Sequence, residues 1–445
     1  MPPSLSYQAI ASQIPACSGN IYIAYSGGID SHVLLHLVAS QANLKPKIIA
    51  VYVNHGLQAL ADDWGAHCRR QAENLGVSFV GLKVDAQAAN GESPEAAARN
   101  ARYQALQGLI QTDDCLLLAQ HREDQMETLL LQLFRGAGVQ GLAGMPASLP
   151  FGEGSLLRPL LNIAKADIRE YGLRHGLDWV EDPSNQSNDF DRNYLRNEVV
   201  PILKQRWPAL DKTIARSAQN CGEAVSLLDD WGQQMITQLV RPLDNSLAID
   251  QLKAFSVPQS NWLIRQWFGL FGLKPPSQAL LQAIKQQFVD AGPNAHPQIL
   301  TQGHVLKKYR QRLYCLTEQH CIKPTDRLAW PNETPTLTLA NGYRLSRVSA
   351  SSGINQQLWH TANISIRPRS GGEKIKLPGR EGQHSLKKLF QEVGIPPWER
   401  ETRPLIYLDD RLAAVAGLWI AEWAYACNPD ACYRLNWVQF ELSRI

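Results

Sequence analysis

Short runs of apolar, largely β-branched residues alternate along the first third of the chain with stretches whose apolar positions recur every three to four residues. Residues 21–25 (Ile-Tyr-Ile-Ala-Tyr) and 47–53 (Lys-Ile-Ile-Ala-Val-Tyr-Val) read as buried strands, as do residues 77–82 and 115–119. Between them, Val33, Leu34, Leu37 and Val38 fall on one helix face, and residues 62–75 form a second helix ended by Gly76. Ser93 and Pro94 open a third helix as N-cap and first helical residue, and residues 123–134 make a fourth. Strands alternating with helices predict an α/β fold, a mostly parallel Rossmann-like sheet with ligands at the carboxyl ends of its strands.

The pattern changes near residue 207. A stripe of Leu227, Leu228, Trp231, Met235 and Leu239, an aromatic-rich helix with Trp262, Ile264, Trp267 and Phe268, and a further helix over 277–288 predict a small helical domain. Scattered Pro and Thr over 324–335 suggest a linker. Beyond it the alternation of residues 364–368, a helix capped by Ser385 and ended by Gly394, and a hairpin through Asp409 and Asp410 predict an α+β domain. That helix turns Leu386, Leu389 and Phe390 inward and Lys387 and Lys388 outward. The expected division is 1–212 for a nucleotide-binding catalytic domain, 213–322 for the helical one and 336–445 for the last.

Composition narrows this less than the pattern does. Across 445 residues, 44 Lys and Arg against 41 Asp and Glu give a formal net charge of +3, so overall charge selects no partner. Residues 367–400 carry eight Lys or Arg against four Glu, a local excess larger than that of the whole chain. Such a run is usually a solvated face; contact with RNA phosphates is the sharper reading, favoured by the neutral balance elsewhere. The eight cysteines, at 17, 68, 115, 221, 315, 321, 427 and 432, contain no Cys-x-x-Cys, which argues against a zinc site or a disulfide framework. No signal peptide is expected from residues 1–16, and the longest apolar run, 412–421, is too short to span a bilayer. A reduced cytoplasm fits, with no membrane partner.

The candidate chemistry gathers where strands end. After the first strand, Ser26-Gly27-Gly28-Ile29-Asp30-Ser31 turns into a helix, so unpaired N–H groups and the helix dipole converge into an anion cradle. No Gly-Lys-Ser/Thr follows, so the loop contains no lysine to reach a terminal phosphate. His55 follows the second strand and His121 the fourth. Asp124 and Glu127, three apart, project from one face of the fourth helix. An acidic first turn is common for dipole reasons alone; beside the cradle, a cation-binding pair is the better reading. Arg99 and Arg102, also three apart, either line a surface stripe or reach phosphates together.

The Ser-Gly-Gly-x-Asp-Ser loop resembles the pyrophosphatase loop of enzymes that split ATP into AMP and pyrophosphate. The wider set of motifs resembles the tRNA(Ile)-lysidine synthetases. It comprises Asn54-His55-Gly56-Leu57, Ala98-Arg99-x-x-Arg102-Tyr103, residues 121–128, Arg135-Gly136-Ala137-Gly138, Gly141-Leu142-x-Gly144-Met145 and Leu157-Arg158-Pro159-Leu160. Residues 181–185, Phe190, Arg192-Asn193, Arg196 and Pro201 extend it, and residues 369–373 and 387–392 look like that family's C-terminal module. Gln58 departs from it, where a basic residue is expected.

The resemblance implies an ATP-dependent ligase. It would join L-lysine to C2 of the wobble cytidine of tRNA(Ile) with a CAU anticodon, through an adenylated cytidine, changing codon reading from AUG to AUA. It further implies ATP at Ser26, Gly27, Gly28, Ile29, Asp30, Ser31 and His55, Mg²⁺ at Asp30, and catalytic roles for Asp30, His121, Asp124 and Glu127. Lysine would sit on Asp124 and Glu127, and tRNA phosphates on Arg99, Arg102, Arg192, Arg196, Arg369, Lys387 and Lys388. Two alternatives stay open at this point: a tRNA-thiolating enzyme of the same superfamily, and a non-catalytic RNA-binding scaffold. The oligomeric state is open too, a homodimer included.

Overall fold

The strand at Ile21–Ala24 (β1) lies at the centre of a six-stranded sheet, and everything in the first half of the chain is arranged about it. The structure, a computed structural model, describes all residues except 1–4, 15–17, 55, 57–59, 86–93, 293–294, 319–326, 340–342, 429–430 and 440–445. His55, Gln58, Ser93, Cys17 and Cys321 therefore lie outside the described residues. The chain forms two compact units, Met1–Asp229 and Asp230–Ile445.

In the first unit, β1 is followed by helix α1 (Ile29–Ala39), β2 (Ile48–Asn54), α2 (Ala61–Asn74), β3 (Ser78–Lys83) and α3 (Pro94–Gln107). Then come β4 (Cys115–Leu117), α4 (Arg122–Phe134), a hairpin of β5 (Ser148–Phe151) and β6 (Gly154–Leu157), and α5 (Lys165–Arg174). The order is β3-β2-β1-β4-β6-β5, all parallel except β5. Ile21 pairs with Ile48 on one side and Cys115 on the other, so the sheet grows in both directions from β1. That reversal opens a crevice between the carboxyl ends of β1 and β4.

Apolar side chains cover both faces, as a parallel sheet requires. One core joins Ile21 and Ile23 to Leu34, Leu37 and Val38 of α1 and to Ile168 and Tyr171 of α5. The other joins Leu116 and Leu156 to Leu106 of α3, Ile110 and Phe151. The β5–β6 hairpin and α5 have no counterpart in the periodicity, because β5 (Ser-Leu-Pro-Phe) is too short and polar to register as a strand.

The boundary between the units, at Asp230, falls within the long helix Leu210–Leu239. The helices expected here are present, Val257–Gly269 and Gln278–Ile284 among them, but a five-stranded sheet accompanies them. Its centre is the antiparallel pair His304–Tyr309 and Arg312–Thr317, so the region read as helical is mixed. Its strands are short, and His304–Tyr309 carries two lysines, with Leu306 and Leu313 burying one face against Trp267 and Phe268. Further on, the 405–416 hairpin forms as expected: Leu408 pairs with Arg411, and Asp409 and Asp410 adopt φ of 46° and 65°, the left-handed pair of a two-residue turn. Ser385 caps the helix Leu386–Glu392, whose Lys387 and Lys388 are exposed. Strand Tyr343–Ala350 pairs along its whole length with Cys432–Gln439. Among the described residues, no helix is long and apolar enough to cross a membrane.

Gly154 shows how tightly the first sheet is closed. A Cβ there would meet the Asp114 carbonyl oxygen at 2.2 Å and Ile110 Cγ2 at 2.8 Å. Asp114 cannot retreat, because its carboxylate accepts the N–H groups of Asn20 at 2.7 Å and Gln111 at 3.0 Å. Gly154→Ala is expected to lower stability by about 1–3 kcal/mol through overpacking, read as a fall in the thermal unfolding midpoint. Gly269→Ala, with nothing within 4 Å of the added carbon, should leave it unchanged or raise it.

Candidate active site

The loop after β1 is held from within and from behind. Gly27, at φ +83°, reverses the chain where a Cβ would come within 2.9 Å of Cys68 Sγ on α2. The Ser31 hydroxyl donates to the Gly28 carbonyl at 2.9 Å and lies 3.2 Å from the Ser26 nitrogen, whose N–H donates to it. The N–H of Val180 donates to the Gly27 carbonyl at 2.9 Å, fixing the outer side of the turn. Gly28 starts α1 with no side-chain cap, so the helix offers its first N–H groups to a ligand.

Asp30 stands at this entrance. Its Oδ1 is buried with no hydrogen-bond partner, and Oδ2 lies 3.7 Å from His121 Nε2. Burial raises its pKa, and the positive charges of His121, Lys165 and Arg196 pull the other way. A buried, unengaged carboxylate oxygen beside a phosphate-sized cradle is a fitting ligand for Mg²⁺, which commonly takes one or two carboxylates and fills its remaining positions with phosphate oxygens and water.

The start of α4 supplies the opposite wall. The His121 N–H donates to Asp124 Oδ2 at 3.0 Å, and Glu123 Oε2 lies 3.3 Å from His121 Nδ1. The same Glu123 oxygen accepts the N–H of Lys165 at 2.9 Å, docking the first residue of α5 onto the first turn of α4. Burial works to lower the His121 pKa, but Glu123, Asp124 and Asp30 outweigh it and raise the imidazole above its ordinary value. Glu123 is the complement: burial would raise it, yet His121 and the Lys165 N–H bring it down to about 2.

Asp124 and Glu127 do share a face, as their spacing predicts, and two arginines occupy that face. Arg196 donates through Nε to Glu127 Oε1 at 2.7 Å and through Nη2 to Glu127 Oε2 at 2.8 Å and Asp124 Oδ1 at 3.2 Å. Arg192 reaches Glu127 Oε2 at 2.8 Å and Asp124 Oδ1 at 3.1 Å. Glu127 is 2% exposed, so its charge is tolerable only because this fork-shaped pairing neutralises it. Arg192 and Arg196, which the sequence assigned to RNA phosphates, are thus folded inward onto the acidic pair.

Asp30, His121, Asp124 and Arg196 line one cavity of about 380 Å³ at the switch point of the sheet, with Glu127 and Arg192 outside its lining. One side is apolar, with Ala24, Val51, Val53, Leu106 and Leu118; the other is polar, with Ser26, Asp30, Ser31, His121, Asp124 and Arg196. Arg102 lines it beside Tyr103, while Arg99 is exposed and lies over the Tyr103 ring at 5.0 Å. Lys165 also lines it, and its ammonium makes no hydrogen bond or ion pair with a described residue. Nothing in the sequence marked Lys165, because α5 follows Ala164, which offers no capping side chain. In the second unit, Arg369 pairs with Glu373 at 3.4 Å and lies over the Phe390 ring at 5.4 Å. Cys68 and Cys115, the described cysteines of the first unit's sheet region, are buried and separate in the fold, and burial pushes the Cys68 thiol up to about 12.

Comparison with known proteins adds three family matches: a PP-loop domain over residues 5–203, a TilS substrate binding domain over 247–314 and a TilS substrate C-terminal domain over 364–437. A tRNA(Ile)-lysidine synthase of Methylococcus capsulatus is 39% identical over 407 residues, 91% of this chain and 93% of that protein. One of Photobacterium profundum is 40% identical over 423 residues, 95% of this chain and 96% of that protein. One of Coxiella burnetii is 39% identical over 408 residues, 91% of this chain and 90% of that protein.

The acidic turn depends on a second ion pair below it. Arg122 Nε donates to Asp211 Oδ2 at 2.7 Å, and Lys204 reaches Asp211 Oδ1 at 3.2 Å. Burial favours the neutral acid, but these two cations win and hold the Asp211 pKa below 3.8. A depressed acid stabilises the fold above its unfolded value and loses that contribution as pH falls through the folded one. Asp211→Asn is expected to cost about 1–3 kcal/mol at pH 7 and to flatten the acid limb below about pH 4 in denaturant titrations at several pH values.

Proposed function

This chain belongs to the tRNA(Ile)-lysidine synthase family, and on that premise we propose how its cavity divides the work of the reaction. The protein is an ATP-dependent ligase that forms lysidine on tRNA(Ile), with AMP and pyrophosphate as the other products. The cytosine O2 is a poor leaving group, so it first attacks the α-phosphorus of ATP. Pyrophosphate departs and the base carries AMP on O2. The ε-amine of lysine, having shed a proton, then adds to C2, and AMP leaves with that oxygen. The observation carrying this reading is that one cavity has an anion cradle on one wall and, on the other, Asp124, which Arg192 and Arg196 tie to Glu127 behind it.

In this reading the adenosine lies against Val51, Val53, Leu106 and Leu118, and the pyrophosphate end lies on the N–H groups of residues 26–31. Lys165 supplies the cation that the loop lacks. Asp30 would hold Mg²⁺, which neutralises phosphate charge when bound. His121 orders the acidic turn and faces Asp30, placing it beside both chemical steps. The protein's contribution is chiefly positioning and charge neutralisation.

The lysine ammonium goes to Asp124 and Glu127. Arg192 and Arg196 already balance those carboxylates, so an arriving cation requires at least one guanidinium to find another anion. RNA phosphate is that anion, which reconciles the two assignments: the arginines turn to the tRNA as the carboxylates turn to lysine. Arg99, Arg102 and the exposed Lys387 and Lys388 add further phosphate contacts, and Arg369 does so only by leaving Glu373. The work is divided among 1–212, 213–322 and 336–445, in a cytoplasmic setting.

Two variants separate the walls of the cavity. Lys165→Ala should raise KM for ATP about tenfold or more and slow formation of adenylated tRNA, with KM for lysine little changed. An unchanged ATP response would remove Lys165 from the phosphate site. Glu127→Gln should raise KM for lysine about ten- to a hundredfold, the worth of roughly 1.5–3 kcal/mol for one charge-assisted contact. With ATP and tRNA(Ile) but no lysine, Glu127→Gln should still accumulate AMP-linked tRNA. If that adduct fails to form while lysine affinity is intact, the acidic pair serves the nucleotide instead.

A further inference from the structure

A second cavity, of about 430 Å³, opens within the second unit, inside the stretch matched by the substrate binding family model. Its volume lies in the ~300–1,000 Å³ range of small-ligand sites. The floor is apolar: Leu252, Ile264 and Val289 are buried and Phe255 is half-buried. The rim is polar, with Lys253, Lys285, Asn261 and Asp290. No hydrogen bond or ion pair among the described residues engages these four side chains, so two ammonium groups, an amide and a carboxylate border the cavity unspent.

The rim is also braced. The turn Lys285–Val289 is wound wider than an α-helix, with the Asp290 N–H donating to the Lys285 carbonyl at 2.9 Å. Wide turns of this kind recur at functional sites. Lys308, 5% exposed, caps the turn from below, donating to the Phe288 carbonyl at 2.8 Å and the Ala291 carbonyl at 3.1 Å. A lysine buried for this purpose fixes where Lys285 and Asp290 stand.

We propose that this cavity binds one unstacked nucleotide of the RNA substrate. The inference rests on the tRNA-modifying reading for the identity of that RNA. A flat base suits the apolar floor, with Asn261 offering both donor and acceptor to its edge. The two lysines take the flanking phosphates, and Asp290 accepts from a 2′-hydroxyl or a base amino group. Two cations against one carboxylate leave the rim positive, as a phosphodiester partner requires and a neutral small molecule does not.

The test uses the full chain and tRNA(Ile), with binding measured across a salt series. Lys253→Ala with Lys285→Ala should weaken binding about tenfold or more at low salt and flatten the salt slope by about one to two, since fewer counterions are released. Asn261→Ala should weaken binding several-fold with the slope unchanged, because a base contact releases no counterion. Lys253→Arg with Lys285→Arg should restore the slope. In all three, kcat at saturating tRNA and KM for ATP should stay within about twofold of wild type. Unchanged tRNA affinity and slope in the double alanine variant would overturn the proposal. So would tight binding of free 5′-CMP that the variant loses while tRNA binding stays intact, since the cavity would then serve a free nucleotide. Loss of RNA binding in the variants, combined with a wild-type protein that makes no lysidine, would uphold this site and refute the enzymatic reading instead.

Discussion

Glu127 is a carboxylate with almost no access to water, and the first unit of the protein is arranged to make that tolerable. A buried charge without a partner costs several kcal/mol, so Arg192 and Arg196 must both be brought to it. Doing so draws the 190–199 segment onto α4 and orients Asp124, because the same guanidiniums bridge the two acids. The local wide turn at Leu195–Val199 places Arg196 for this. Two acids and two guanidiniums make a network of near-zero net charge. Such a network exchanges one cation for another more readily than it accepts a bare gain or loss of charge.

Glu123 ties this acidic turn to the next helix. Its carboxylate meets both the His121 ring and the first N–H of α5, which joins the acidic start of α4 to the helix bearing Lys165. In the proposed reading, the lysine site and the phosphate site therefore share a support. The same economy appears in Gln125, whose amide both donates to and accepts from the backbone of Met145. The Gly141-to-Met145 motif is thereby explained as bracing for α4: a Cβ on Gly144 would meet the Gln125 amide oxygen at 2.6 Å.

In the second unit, arginines are largely committed to holding aromatic layers together. Arg347 lies over both Trp359 and Tyr433, and Arg403 lies 4.0 Å from the centre of the Trp437 ring. The cations left uncommitted are mainly lysines, at positions 253, 285, 387 and 388, on rims and outer faces. Arg fits this division because its planar guanidinium stacks and forks within a fold, whereas the strongly hydrated ammonium of Lys stays at the water boundary. The basic excess over 367–400 is accordingly part scaffold and part free surface.

Much of this was legible along the chain because it is local. The strand–glycine–helix order of residues 21–39, the shared face of Asp124 and Glu127, the Ser385 cap with Lys387 and Lys388 outward, and the two-aspartate hairpin each follow from residues within one or two turns of one another. Backbone geometry alone carries such information. What the sequence could not carry is the pairing of charges across 65 to 72 residues, which turned two presumed RNA-binding arginines into partners of the acidic pair. Lys165 was invisible for the same reason: a lone lysine becomes a cavity residue only once α5 docks on Glu123. The five-stranded sheet of the second unit was hidden because its short strands bury one face against helices and leave no strong alternation. Periodicity reports the face a residue presents; only the tertiary structure decides what that face meets.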